Sequence, residues 1–62
     1  MYSLVGVDGN AFSIMGYTRK AMQETGFSEG EIKIMLDDAR SSDYNHLIYV
    51  CGNYIDKCNE RL

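Results

Sequence analysis

Apolar residues recur at helical spacing in three successive segments of this chain. Positions three and four residues apart share one face of a helix, so such a repeat predicts a helix with one buried face. The repeat covers residues 11–25, about 29–40 and 43–60. The sequence therefore predicts a mainly α fold: a single domain over residues 1–62, with three helices and a short N-terminal extended segment or β-strand.

The first predicted helix lies between two turn signals. Asp8 or Asn10 can cap its N-terminus, since either side chain accepts a hydrogen bond from a free N–H group. Gly26 suits the left-handed position after the last turn. Gly16 interrupts the helix at a cost of about 1 kcal/mol relative to alanine, so we expect a close helix crossing there. The apolar face comprises Ala11, Ile14, Met15, Thr18, Ala21, Met22 and Thr25.

The second predicted helix has the clearest start signal. Ser28 and Glu31 have the spacing of a capping box, in which the serine bonds forward and the glutamate reaches back. Phe27 precedes the cap and is placed to pack against Ile32 as a hydrophobic staple. The apolar stripe comprises Ile32, Met35, Leu36 and Ala39, and the helix should end near Arg40.

The third predicted helix, capped by Ser42 or Asp43, carries two apolar rows. The first has the heptad-like spacing of a helix seam, and the second lies beside it. So wide an apolar face usually contacts more than one neighbour. Either the first two helices cover both rows, or a second protomer covers one of them. The rows are Tyr44, Ile48, Cys51, Ile55, Cys58 and Leu62, and Leu47, Val50 and Tyr54.

Residues 2–7 are β-prone and end at the turn signal Asp8-Gly9-Asn10. A lone strand cannot satisfy its own backbone hydrogen bonds. The segment would therefore join a partner's sheet, pair with its twin in a dimer, or pack as an extended arm on the helices.

A chain of 62 residues has a core that supplies only about 3–5 kcal/mol without a disulfide, a metal or oligomerisation. Neither of the first two is indicated by the sequence. We therefore expect a homodimer, formed through the third helix or the N-terminal segment.

The two cysteines, Cys51 and Cys58, lie on the third predicted helix. Seven residues of helix separate their Cα atoms by roughly 10.5 Å, whereas a disulfide needs less than about 7 Å. This predicts buried, reduced thiols. A bridge between two copies or a reactive thiol is the alternative.

The chain shows no catalytic or metal-binding pattern. Asp43 and His46 are helix neighbours, but no nucleophile accompanies them, which favours helix capping by Asp43 over acid–base chemistry. Zinc sites need clustered ligands, and Cys51, Cys58 and His46 include no CxxC. We predict that the protein is not an enzyme and has no metal and no cofactor.

The net charge is −3, and the six basic residues are scattered. Phosphate-backbone binding needs a basic stripe. Nucleic-acid binding by the first two helices, as a helix-turn-helix around Gly26, is an alternative function. Its recognition helix would carry four acidic and only two basic residues, which argues against contact with DNA. They are Glu29, Glu31, Asp37 and Asp38, and Lys33 and Arg40.

No apolar run approaches 18 residues and no signal peptide is visible, so we expect no membrane span and a cytoplasmic location.

Tyrosines provide the candidate contact surface. Tyr17, Tyr49 and Tyr54, with Val50, are the predicted protein-contact residues, because tyrosine is enriched at interface hot spots. Tyrosines on helices also pack at core edges, which is the alternative.

Residues 8–12 read DGNAF and residues 43–47 read DYNHL. With several shorter stretches, they resemble a family of short proteins from phages, plasmids and integrated elements of Gram-positive gut bacteria. The resemblance covers nearly the whole chain, and its most specific part is DGNAF followed by a GDYxHLL-like stretch. Ser42 and Ile48 depart from that pattern, which has glycine and leucine there. The matching residues are 5–12, Met15-Gly16, Gly26, Ser28, Glu31-Ile32 and 43–47.

The family has no assigned activity, so the resemblance transfers no catalytic residue. It implies a small acidic protein that binds a larger host or phage protein and regulates or inhibits it, for example in a defence system. A protein-interaction module is accordingly the expected function.

Overall fold

The computed structural model describes residues 1–62 and contains three α-helices and no strand. They are α1 (Ala11–Glu24), α2 (Glu29–Ala39) and α3 (Tyr44–Glu60). The mainly α fold with three helices is confirmed, and each boundary lies within one residue of its predicted position. No helix is long and apolar enough to cross a bilayer.

Side-chain caps fix where α1 and α3 begin. Asn10 Oδ1 accepts a hydrogen bond from the N–H of Phe12 at 2.8 Å, while Asp8 instead accepts one from the N–H of Asn10. Asp43 caps α3 by accepting from the N–H of His46 at 2.9 Å. Of the predicted pairs of caps, Asn10 and Asp43 are therefore the ones used.

The predicted capping box is present at α2. The N–H of Glu31 donates to Ser28 Oγ, and the N–H of Ser28 donates to Glu31 Oε1, both at 3.1 Å. The Ser28 hydroxyl also donates to Glu31 Oε1, at 2.9 Å, and the N–H and hydroxyl of Ser28 together hold the pKa of the Glu31 carboxyl below its usual value. An ionised carboxylate here also suits the positive end of the helix dipole.

A glycine reverses the chain between α1 and α2. Gly26 has φ +87°, as expected for the residue after a helix C-cap. The N–H of Phe27 donates to the carbonyl of Met22 and that of Gly26 to the carbonyl of Gln23. This pair of bonds is a Schellman motif, which satisfies carbonyls that the helix end leaves free.

The helices run up, down and up, so α1 and α3 are parallel. At one end the Tyr44 hydroxyl, at the start of α3, donates to the carbonyl of Gly9 just before α1. At the other end the Arg61 guanidinium donates to the carbonyl of Thr25 at 3.1 Å. The N-termini of α1 and α3 and the C-terminus of α2 therefore share one end of the bundle.

One core joins all three helices, and α3 contributes the largest share of it. Cys51, Ile55 and Cys58 come from the first apolar row of α3, and Leu47 and Val50 come from the second. The structure therefore shows the alternative in which α1 and α2 cover both rows. The other core residues are Ile14, Met15, Ala21, Met22, Ile32, Met35 and Ala39.

The folded chain exposes 3934 Å² of surface. A monomeric protein of this mass exposes about 4,000 Å². A single copy is therefore as compact as a typical monomer, and the apolar width of α3 no longer requires a second protomer. Dimerisation stays a prediction.

Of the predicted alternatives for the N-terminal segment, the structure shows an arm packed on the helices and no strand. Residues 1–10, which we call the N-terminal arm, pack on the helices without forming a strand. The N–H of Tyr2 donates to Asn59 Oδ1 at 2.8 Å, and Asn59 Nδ2 donates to the carbonyl of Tyr2 at 2.9 Å. The Asn59 carboxamide therefore makes the two bonds that a neighbouring strand would make.

Further contacts hold the arm along α1. The N–H of Ser3 donates to the Tyr17 hydroxyl at 3.0 Å, and the Tyr2 hydroxyl donates to Glu24 Oε1 at 2.6 Å. The latter bond is the main reason that the pKa of Tyr2 rises to about 12. Gly6, with φ +88°, then turns the chain back toward the start of α1.

The expectation of a close helix crossing at Gly16 is wrong. Gly16 is exposed, and a Cβ built there would meet nothing within 4 Å. The position lies on the solvent side of α1, so no packing constraint in the folded chain selects glycine.

Alanine at Gly16 and alanine at Gly26 should have opposite effects on the free energy of unfolding. Gly16→Ala should raise the free energy of unfolding by about 0.5–1 kcal/mol, since it removes backbone entropy from the unfolded chain. Gly26→Ala should lower it by about 1–2 kcal/mol, because alanine is strained at positive φ. Urea unfolding followed by circular dichroism measures both. A destabilising Gly16→Ala would mean that this face of α1 is covered in solution.

We call the two hydrogen bonds between the Asn59 carboxamide and the Tyr2 backbone the Asn59 clasp. Its loss should release the N-terminal arm. Asn59→Ala removes both bonds to the Tyr2 backbone and should lower the free energy of unfolding by about 1–2 kcal/mol. It should also accelerate hydrogen exchange at the Tyr2 amide. Asn53→Ala is the matched control, since Asn53 is exposed on the same helix and the substitution changes helix propensity equally. Equal stability of the two variants would show that the clasp contributes nothing.

Candidate functional site

Two large apolar side chains are exposed at the end of the bundle where α1 and α3 begin. Phe12 is 81% exposed and Tyr44 is 47% exposed. Both line an open groove with a volume of about 300 Å³. We call this feature the Phe12–Tyr44 groove, and the end of the bundle that carries it the groove end.

The lining of the groove is mainly apolar. Each helix contributes one core residue to the lining: Met15 from α1, Ala39 from α2 and Leu47 from α3. The groove therefore exposes the edge of the core itself. Its remaining lining residues are Ala11, Arg40, Ser42 and Asp43, so charged groups border the apolar surface.

Local structure fixes the backbone that carries the two aromatic side chains of the groove. Phe12 lies in the first turn of α1, and its N–H is held by the Asn10 cap. Tyr44 is the first residue of α3, and its hydroxyl is bonded to the Gly9 carbonyl. Because both residues lie at capped helix starts and the groove floor belongs to the core, the groove is preformed apart from the rotamer of Phe12.

The tyrosines predicted as contacts lie in three different places. Tyr17 is half-buried: its hydroxyl accepts from Ser3, and its ring meets that of Tyr2 edge to face at 6.3 Å. Tyr54 is half-buried against Phe27. Tyr49 is 67% exposed, but it does not line the groove. The structure does not bring these three residues into one patch.

Val50 requires a correction. It is predicted from the sequence as a contact residue together with Tyr17, Tyr49 and Tyr54. The structure places it in the core at 5% exposure. A side chain buried between helices of its own chain has no surface to offer a partner, so Val50 stabilises the fold instead.

Phe12 and Tyr44 were not predicted as contact residues. Phe12 falls outside the apolar repeat of Ala11, Ile14 and Met15, and a large aromatic outside the buried stripe was the signal available in the sequence. Tyr44 was assigned to the seam of α3, but it lies one turn beyond the part of the row that α1 and α2 cover. Only the packing of the helices shows which apolar residues of a predicted row are buried and which are exposed.

The charged side chains of α2 are largely paired. Asp37 lies 3.0 Å from Lys33 Nζ and 3.4 Å from Arg40 Nη2, and these neighbours hold its pKa below the usual value. Asp38 Oδ1 lies 2.9 Å from His46 Nε2. The imidazole thus contacts Asp38 of α2, whereas Asp43 caps the helix backbone, as expected.

These pairs bear on the alternative of nucleic-acid binding. Lys33 and Arg40 are the only basic residues of the proposed recognition helix, and both are bonded to Asp37. The Asp37 carboxylate therefore partly neutralises the positive charge that a phosphate would need. The structure thus adds no basic surface to the sequence-based argument.

The structure brings together no group of three histidine, cysteine or acidic side chains able to hold a metal ion. Cys51 and Cys58 are both free and buried, as predicted. Burial raises the pKa of the Cys51 thiol, although a hydrogen bond with Thr18 opposes this effect.

Comparisons of the chain with protein-family models, curated proteins and solved structures find no match.

The buried thiols should be unreactive in the folded protein. Both have no solvent exposure, so iodoacetamide should reach them only after unfolding. With a stability of about 3 kcal/mol, alkylation should be at least about a hundredfold slower than in denaturant. Mass spectrometry of timed samples measures the rate at each cysteine. Rapid labelling of one cysteine in native buffer would show that its part of α3 opens locally.

Proposed function

We propose that this protein is a small protein-interaction module that binds a larger protein through the Phe12–Tyr44 groove and regulates or inhibits it. The observation that carries the proposal is the exposure of a preformed apolar groove by a chain whose own core is already complete. A concave, mainly apolar surface bordered by a few polar groups is the usual form of a binding site.

The groove has the composition of an interface centre. Aromatic side chains are enriched among residues that dominate binding energy, and Phe12 and Tyr44 supply two of them at one site. The neighbouring apolar residues Met15 and Leu47 belong to the rigid core. A partner would therefore bind without a large ordering cost in this chain, because the helices already hold the surface in place.

The family resemblance extends the proposal to biological context. It implies a protein of a phage or mobile element whose partner is a larger host or phage protein, and an anti-defence role fits that setting. Small size is compatible with such a role, since blocking a partner's surface requires a stable contact and no chemistry.

Truncation of Phe12 should abolish partner capture. Tagged wild-type chain and Phe12→Ala are used to capture proteins from a lysate of the source cells, and any stoichiometric partner is purified and rebound. Removal of a central aromatic anchor should weaken the purified complex by about thirtyfold. The free energy of unfolding should change by less than about 0.5 kcal/mol, because the side chain is exposed.

Tyr49→Ala is the matched control. Tyr49 is also an exposed aromatic residue on a helix but lies outside the groove, so binding should persist in this variant. A purified complex that is weakened by Tyr49→Ala and unaffected by Phe12→Ala would transfer the contact surface to α3, as the sequence suggested, and would contradict the proposal for the groove.

A further inference from the structure

The net charge of the protein is concentrated at the groove end. This end holds four of the nine acidic residues, Asp8, Asp37, Asp38 and Asp43, and one of the six basic residues, Arg40. The other five acidic and five basic residues balance each other. Even when Lys33 is included because it contacts Asp37, acidic groups outnumber basic groups two to one beside the groove.

Two of these carboxylates have no lysine, arginine or histidine side chain as a partner. Asp43 lines the groove and uses Oδ1 to cap α3. Asp8 uses Oδ1 for the N–H of Asn10, and it adjoins Gly9, whose carbonyl is bonded to Tyr44. In contrast, Asp37 and Asp38 already face Lys33, Arg40 and His46. Asp8 and Asp43 are therefore the acidic groups available to a ligand at the groove.

This charge pattern argues against a second copy as the occupant. Two copies that met through the same face would bring their acidic rims together, and like charges across an interface are costly. The basic residues Arg19, Lys20 and Lys57 lie in the C-terminal halves of α1 and α3, and Arg61 is the C-cap of α3. Because these helices are parallel, those residues are directed away from the groove end and cannot neutralise it.

We infer that the groove takes a basic peptide segment of the partner, with one bulky apolar side chain in the groove and a lysine or arginine beside Asp8 and Asp43. This inference rests on the proposed function and specifies the chemistry of the partner. A cavity of about 150 Å³ accommodates benzene, so the open groove of about 300 Å³ has room for one large apolar side chain.

A random twelve-residue peptide library displayed on phage provides the probe. Peptides are selected on the immobilised protein at low salt, and the enriched sequences are synthesised. We expect a bulky apolar residue flanked by lysine or arginine. Affinities are then measured by isothermal titration calorimetry for wild type, Phe12→Ala, Asp8→Asn, Asp43→Asn and Asp56→Asn.

The asparagine variants remove charge while keeping structure. Asparagine caps helices as well as aspartate does, so Asp43→Asn should retain the start of α3. Each of Asp8→Asn and Asp43→Asn should weaken a basic peptide about two- to fivefold, with a reduced dependence on salt. Asp56→Asn is the matched control: Asp56 is exposed on α3 away from its N-terminus, and its loss should leave affinity unchanged.

The outcomes separate this inference from the proposed function. Enriched basic peptides that lose affinity in Phe12→Ala and in the Asp8 and Asp43 variants would support both. Neutral or acidic peptides that still depend on Phe12 would overturn the basic segment and leave the interaction groove standing. Selected peptides whose affinity is unchanged in Phe12→Ala would contradict both the basic segment and the interaction groove. A library with no enrichment would overturn only the basic segment, since partner capture tests the proposed function separately.

Discussion

The apolar face of α3 is the constraint on which the rest of the structure depends. Cys51 and Cys58 have no solvent exposure, and they lie on a face wide enough to contact both α1 and α2. In a chain of 62 residues no other element could supply a shared core. Burial of apolar surface is the dominant stabilising contribution to folding, so the arrangement of α1 and α2 follows from covering this one helix.

Covering α3 from both sides has a consequence at the groove end. The short connections make successive helices antiparallel, so α1 and α3 begin together. Tyr44 lies one turn beyond the covered part of α3, and Phe12 lies outside the buried stripe of α1, so both side chains are exposed. The two caps, Asn10 and Asp43, and the nearby Asp8 also lie there. The same geometry therefore creates an apolar groove and an acidic rim.

The N-terminal arm shows how a short extended segment is satisfied without a sheet. A backbone N–H and carbonyl need partners when they leave water, and the side chain of Asn59 provides both for Tyr2. The sequence contained each half of this contact, but the residues lie 57 positions apart. No local pattern could connect them.

The sequence by itself determined the three helices and their ends, because periodicity and capping act over a few residues. The Ser28–Glu31 box, the left-handed Gly26 and the buried cysteines all followed from local rules. Only the tertiary structure decided that Val50 is buried, that Gly16 faces solvent, and that Phe12 and Tyr44 share a groove. These properties depend on which helix faces which, and that choice is made by packing between residues distant in the chain.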